Sequence, residues 1–171
     1  MSETAFRPDE ILETLERHGV RYVVIDGLAA TIHGAPLMTT DADMCPSREG
    51  DNIERLAGAL RELGARIRAP DVPGGLPFAC DAVFLSRIDV ALNMITRFGA
   101  LDVSPTPSAT GGYRDIAPRS VPVSIAGHVG AVASLADVIC SKEAANREKD
   151  RAALPTLRPL LRRLEGGAKG D

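Results

Sequence analysis

Residues 23–44 constrain this chain more than any other stretch. Val23, Val24 and Ile25 form an apolar, β-branched run that stops at Asp26 and Gly27. Leu28, Ala29, Ala30 and Ile32 follow in a helix-favouring composition, and then come Asp41, Ala42, Asp43 and Met44. The pattern predicts a buried strand, a glycine turn, a short helix, and a second strand carrying two acids. Successive strand side chains point to opposite faces, so Asp41 and Asp43 share a face that Ala42 and Met44 avoid. Two carboxylates aimed into one space repel each other unless a cation lies between them. Hard oxygen ligands with no histidine or cysteine beside them favour Mg²⁺ or Mn²⁺, and an ion held by few carboxylates keeps positions for triphosphate oxygens. The stretch reads as half of a nucleotide site, a phosphate cradle beside a metal centre.

A chain of 171 residues, 44% hydrophobic and 25% charged, has the length and composition for one packed domain and not for wholesale disorder. We expect that domain over 1–165, with a core in 8–133, C-terminal helices in 134–165 and a disordered tail in 166–171. The formal net charge of −3 does not advertise a nucleic-acid binder. The bases are nonetheless uneven: Arg147, Lys149, Arg151, Arg158, Arg162 and Arg163 cluster in the last quarter. Cys45, Cys80 and Cys140 form no C-x-x-C pair, which fits a reducing, cytoplasmic setting and gives no zinc signature. No run approaches the roughly 20 apolar residues of a membrane span, so no membrane partner is expected.

Elsewhere the patterning predicts a helix over 8–19, opened by Pro8 and closed by Gly19, and a second over 48–63 with Ile53, Leu56, Ala57, Leu60 and Leu63 on one stripe. A short strand is expected at 65–68 and a loop at 69–77. A strand pair is expected over 79–84 and 87–95, which would put Asp89 on the polar face of its strand. A further strand, 100–103, carries Asp102 and opens into a glycine- and proline-rich connection, 104–120, long enough to suggest a substrate or partner loop. A hairpin over 121–132 comes next. In the helix that starts at Leu135 the apolar stripe Leu135, Val138 and Ile139 continues to Lys142, which places a lysine on the core-facing side. Pro155 and Pro159 predict a helix break near 154–156.

Taken together, Gly27, Leu28-Ala29-Ala30, His33-Gly34 and Thr40-Asp41-Ala42-Asp43 resemble the motifs of the nucleotidyltransferase superfamily with the DNA polymerase β-like fold. The likeness is specifically to the minimal nucleotidyltransferases of the AbiEii and MenT toxin group. Leu101-Asp102-Val103 and Ser141-Lys142-Glu143 extend it over most of the chain. The resemblance implies an α+β fold, a mixed β-sheet flanked by helices with a C-terminal helical part. It implies that Asp41, Asp43 and Asp102 are metal ligands and that Asp102 accepts the attacking hydroxyl's proton. Lys142 would then be a triphosphate ligand, Asp150 would orient Lys142 or touch the ribose, and the amides of Gly27 and Leu28 would bind phosphate. One departure stands out, because Asp26 occupies the place of the family's first glycine. The activity implied is transfer of a nucleoside monophosphate from an NTP, CTP or UTP favoured, to a tRNA 3′ end, by a toxin that a cognate antitoxin protein restrains. The alternatives are a non-catalytic binding module, or transfer to protein or small-molecule hydroxyls.

Overall fold

Residues 4–168 are described by a computed structural model. The N-terminal helix α1 (Pro8–Arg17) buries Ile11, Leu12 and Leu15. Strand β1 (Tyr22–Ile25) is buried along its whole length, as its unbroken apolar run requires of a central strand. Helix α2 (Asp26–Ile32) leaves it directly, and β2 (Asp41–Pro46) returns antiparallel to β1. After α3 (Gly50–Glu62) come β3 (Arg66–Ala69) and β4 (Val72–Leu76), then α4 (Ala82–Ser86) and the hairpin of β5 (Leu92–Thr96) and β6 (Gly99–Val103). Helix α5 (Tyr113–Ile116) precedes a second hairpin, β7 (Val121–Ile125) and β8 (His128–Val132), and the chain closes with α6 (Leu135–Ala145) and α7 (Glu148–Gly167).

The strands form one mixed sheet in the order β4-β3-β5-β6-β2-β1-β8-β7. Among the described residues, only β1 with β8 and β2 with β6 pair in parallel. The α+β class expected from the sequence is the one observed. Helix α1 packs on α3 and α3 on α4, while α2 packs on α6 and α6 on α7. The helices carrying Gly27, Lys142 and Asp150 therefore form one contiguous group beside the central strands. His33 joins this group to the sheet through a 2.7 Å hydrogen bond between its Nε2 and the Ala133 carbonyl.

Several expected elements differ. Residues 79–84 are not a strand, because Asp81 caps α4 by accepting the Phe84 N–H at 2.8 Å. The Phe84 ring meets Phe78 at 5.2 Å. The strand pair begins one element later, with β5 and β6, so Asp89 falls in a loop and is highly exposed. Part of the expected loop 69–77 pairs as β4, since its proline and glycines sit at a sheet edge, where a missing N–H costs no ladder bond. No break interrupts α7: Pro155 and Pro159 lie on its exposed side, while Leu154, Leu157 and Leu160 are buried on the other. Of the expected tail 166–171, Gly166 and Gly167 complete α7, and residues 169–171 lie outside the described residues.

Candidate active site

The register of the central strands sets the site. Asp43 of β2 stands opposite Ile25 of β1 on one side and Asp102 of β6 on the other. Asp102 in turn stands opposite Asn93 of β5. Side chains at paired positions share a face, so Ile25, Asp43, Asp102 and Asn93 form a row across four strands. Asp41, two residues before Asp43, joins the same face. The result is that Asp41, Asp43 and Asp102 each offer a carboxylate oxygen within 4.8 Å of the others. The sequence had placed these three together, and the fold brings them together.

Crowding leaves its mark on their protonation. Burial, reinforced by the charges of Asp41, Asp26 and Asp102, pushes the Asp43 carboxyl up to about 8. Burial also raises Asp102, to about 6, although Arg68 opposes the rise. A partly buried set of three acids with no nitrogen or sulfur donor is the donor chemistry of a hard divalent cation, so the residues fit Mg²⁺ or Mn²⁺.

Arg68 was not among the residues picked from the sequence. From β3 its Nη2 donates to both oxygens of Asp102, at 2.8 and 3.1 Å. The β3–β5 register pairs Arg66 with Ile95 and Ile67 with Met94, which brings Arg68 toward the end of β5 that carries Asn93. The available signal was the alternation of Arg66 and Arg68 on one short strand, which aims both at the same face.

Behind the row lies a second, buried ionic cluster. Lys142 Nζ donates to Asp26 Oδ1 at 2.6 Å and to Asp150 Oδ1 at 3.3 Å. Asp150 is fully buried and also accepts from the Arg147 guanidinium at 2.7 Å and from the Arg147 backbone N–H at 3.1 Å. Burial alone would raise Asp150, but the Arg147 bonds hold it below the usual carboxylate range. Asp150 is thus not a solvated helix-start acid. Asp26 lies between this cluster and the open side, with Arg147 at 3.6 Å. Its backbone has φ 55°, a left-handed conformation in which glycine would be unstrained. The next residue, Gly27, has the Thr39 side chain against it, so a Cβ there would come to 3.4 Å from Thr39 Oγ1. Leu28 is buried in the core.

A cleft of about 480 Å³ opens over the row. Asp43, Asp102 and Asn93 line one side of it, and Asp26, Ser141, Arg147 and Lys149 another. The connection 104–120 contributes Ser104, Thr106, Ser108, Thr110 and Ile116, so the segment expected to be a substrate loop borders the acids. Asp89 also lines the cleft, but its partner is Arg48 and it takes no part in the triad. Gly27, Leu28 and Lys142 lie behind the residues that line the cleft.

A solved structure with this arrangement of elements is that of the lincosamide antibiotic adenylyltransferase LnuA with lincomycin bound. It superposes with a TM-score of 0.60 at 12% identity, over 92% of this chain and 99% of that one. The chain has a nucleotidyltransferase fold. The antibiotic-resistance factor ANT(2'')-Ia in solution is also similar, at TM-score 0.46 and 14% identity over 95% of both chains. No family model and no curated protein sequence matches the chain. The resemblance to the AbiEii and MenT group rests on the motifs alone. Among the described residues no helix is long and apolar enough to cross a membrane.

Proposed function

We propose that this protein is a metal-dependent nucleotidyltransferase that moves a nucleoside monophosphate from an NTP onto a hydroxyl of a small-molecule acceptor. The observation that carries the reading is the convergence of Asp41, Asp43 and Asp102, each with a carboxylate oxygen within 4.8 Å of the others, with Asp43 and Asp102 lining the cleft. Those three carboxylates would hold Mg²⁺ or Mn²⁺, which when bound supplies charge neutralisation to the phosphates and acidifies the attacking hydroxyl.

The chain's own residues do the rest. The acceptor oxygen forms a bond to the α-phosphorus, the bond to the bridging oxygen of the β-phosphate breaks, and pyrophosphate leaves. Asp102, with a pKa raised to about 6, accepts the hydroxyl's proton, because a base poised near neutral pH is both ionised and basic enough to take it. Arg68 positions that carboxylate. The hydroxyl-rich wall Ser104, Thr106, Ser108 and Thr110 faces the acceptor.

Two observations favour a small acceptor over the tRNA 3′ end. The similar LnuA structure holds lincomycin, a small molecule. In addition, two of the six clustered bases are ion-paired within the protein, Arg147 to Asp150 and Arg158 to Glu143. That reduces the charge left for an RNA backbone. The experiment is incubation with Mg²⁺, each α-labelled NTP, total tRNA and a panel of polyhydroxylated small molecules. Label in a small-molecule product supports the reading, whereas label in tRNA would return the acceptor to RNA and revive the toxin role with its antitoxin.

A further inference from the structure

The cations that face the acid triad are not the one the motif singles out. Lys142 is enclosed, its side chain 8% exposed and its ammonium shared between Asp26 and Asp150. Turning that ammonium into the cleft would strip one partner from Asp150, which has no solvent exposure. Lys149 differs on each count: it is exposed, it lines the cleft, and it has no ion pair among the described residues. Arg147 lines the same wall, half exposed, with one edge of its guanidinium on Asp150 and the other toward Asp26 at 3.6 Å.

We propose that the donor's triphosphate is held by Lys149, with Arg147 beside it, and that Lys142 instead fixes the position of Asp26 and Asp150. A triphosphate bridging from the carboxylate row to the α7 wall would then meet one free ammonium and one guanidinium edge. Both are charge-assisted donors suited to phosphate oxygens. Asp26 keeps Lys142 from competing for the same phosphates. This inference rests on the nucleotidyl-transfer reading, so its test is binding in the absence of an acceptor.

The experiment titrates ATP, CTP, GTP and UTP, each with Mg²⁺, into wild type, Lys149→Ala, Lys149→Arg and Lys142→Met by calorimetry, with the corresponding nucleoside monophosphates as controls. Lys149→Ala is expected to weaken NTP binding by about tenfold or more, the loss of one charge-assisted bond to phosphate. The monophosphates should change little, and Lys149→Arg should restore most of the affinity. Lys142→Met is expected to melt at a lower temperature and, where folded, to lose less NTP affinity than Lys149→Ala, since it unmasks Asp26 but removes no phosphate ligand. Lys149→Ala binding NTP as tightly as wild type would overturn the inference while leaving the transferase reading intact. Wild type that binds none of the four NTPs would overturn both.

Discussion

Lys142 and Asp26, 116 residues apart in sequence, meet through a 2.6 Å charge-assisted hydrogen bond at the back of the cleft. The pair explains how an acid is tolerated beside a phosphate cradle, since the lysine neutralises it from behind. Asp26 still lines the cleft and still adds to the negative field at Asp43. Replacing it with glycine removes that charge, relaxes a backbone held at φ 55° and frees the Lys142 ammonium on one side. Asp26→Gly should therefore tighten Mg²⁺–NTP binding, by on the order of 1 kcal/mol for a partly screened charge. Calorimetry giving unchanged or weaker binding would show that the acid does not oppose the nucleotide.

The same cluster makes a stability prediction. Lys142→Met leaves Asp150 with Arg147 alone and Asp26 with a distant guanidinium. Breaking a buried ion pair from one side costs about 3–5 kcal/mol, which at about 2–4 °C per kcal/mol lowers the melting temperature by roughly 10 °C or more. A thermal melt of Lys142→Met within a degree or two of wild type would contradict the buried network.

The protonation of Asp43 sets the sign of the pH dependence. In the unfolded chain this carboxyl ionises near its ordinary 3.8, but in the fold only at about 8, because of burial and then the neighbouring acids. Between those values the folded protein binds the extra proton, so stability without metal falls as pH rises through the window. A divalent cation reverses this by favouring the ionised form. Melting temperature measured without Mg²⁺ should decline from pH 5 to pH 8, an excess over the Asp43→Asn variant. The shift on adding Mg²⁺ should be larger at pH 8 than at pH 6, and an Mg²⁺ shift independent of pH would count against a metal at Asp43.

Arg68 occupies both oxygens of Asp102 and so stands where a cation would draw charge. Arg68→Ala should tighten Mn²⁺ binding severalfold at alkaline pH, where the Asp102 carboxyl, which loses a partner that lowers it, is ionised. It should also slow transfer, because the carboxylate loses its positioning partner. Free Mn²⁺ followed by electron paramagnetic resonance reads the first effect directly. Weaker Mn²⁺ binding in Arg68→Ala would mean that the arginine assembles the triad and does not compete for it.

Local chemistry made much of this legible from the sequence. The β-branched run 23–25 and the two-residue spacing of Asp41 and Asp43 dictate a central strand and a shared face, and both are present. The i+7 continuation of the Leu135 stripe correctly put Lys142 on the core side. What it could not give was the identity of the carboxylates Lys142 meets, since Asp26 arrives from another element. Arg68 was invisible for the same reason, being brought to Asp102 only by the pairing of β3 with β5 and of β5 with β6. The α7 prolines misled because sequence alone does not show that both fall on the exposed side of a helix held to the core by Leu154, Leu157 and Leu160. Asp81 carries a local helix-cap signal inside the stretch 79–84, whose patterning predicts a strand.

The central claim is that Asp41, Asp43 and Asp102 together support nucleotidyl transfer. The most direct measurement is pyrophosphate release, with recovery of α-label in product, from Mg²⁺ and each NTP over a panel of hydroxyl acceptors. Wild type and the isosteric Asp43→Asn variant should be compared side by side, with circular dichroism confirming that both are folded. The account predicts label transfer and stoichiometric pyrophosphate with wild type, and neither with Asp43→Asn. Equal transfer by both proteins, or none from wild type with any NTP and acceptor, would contradict it.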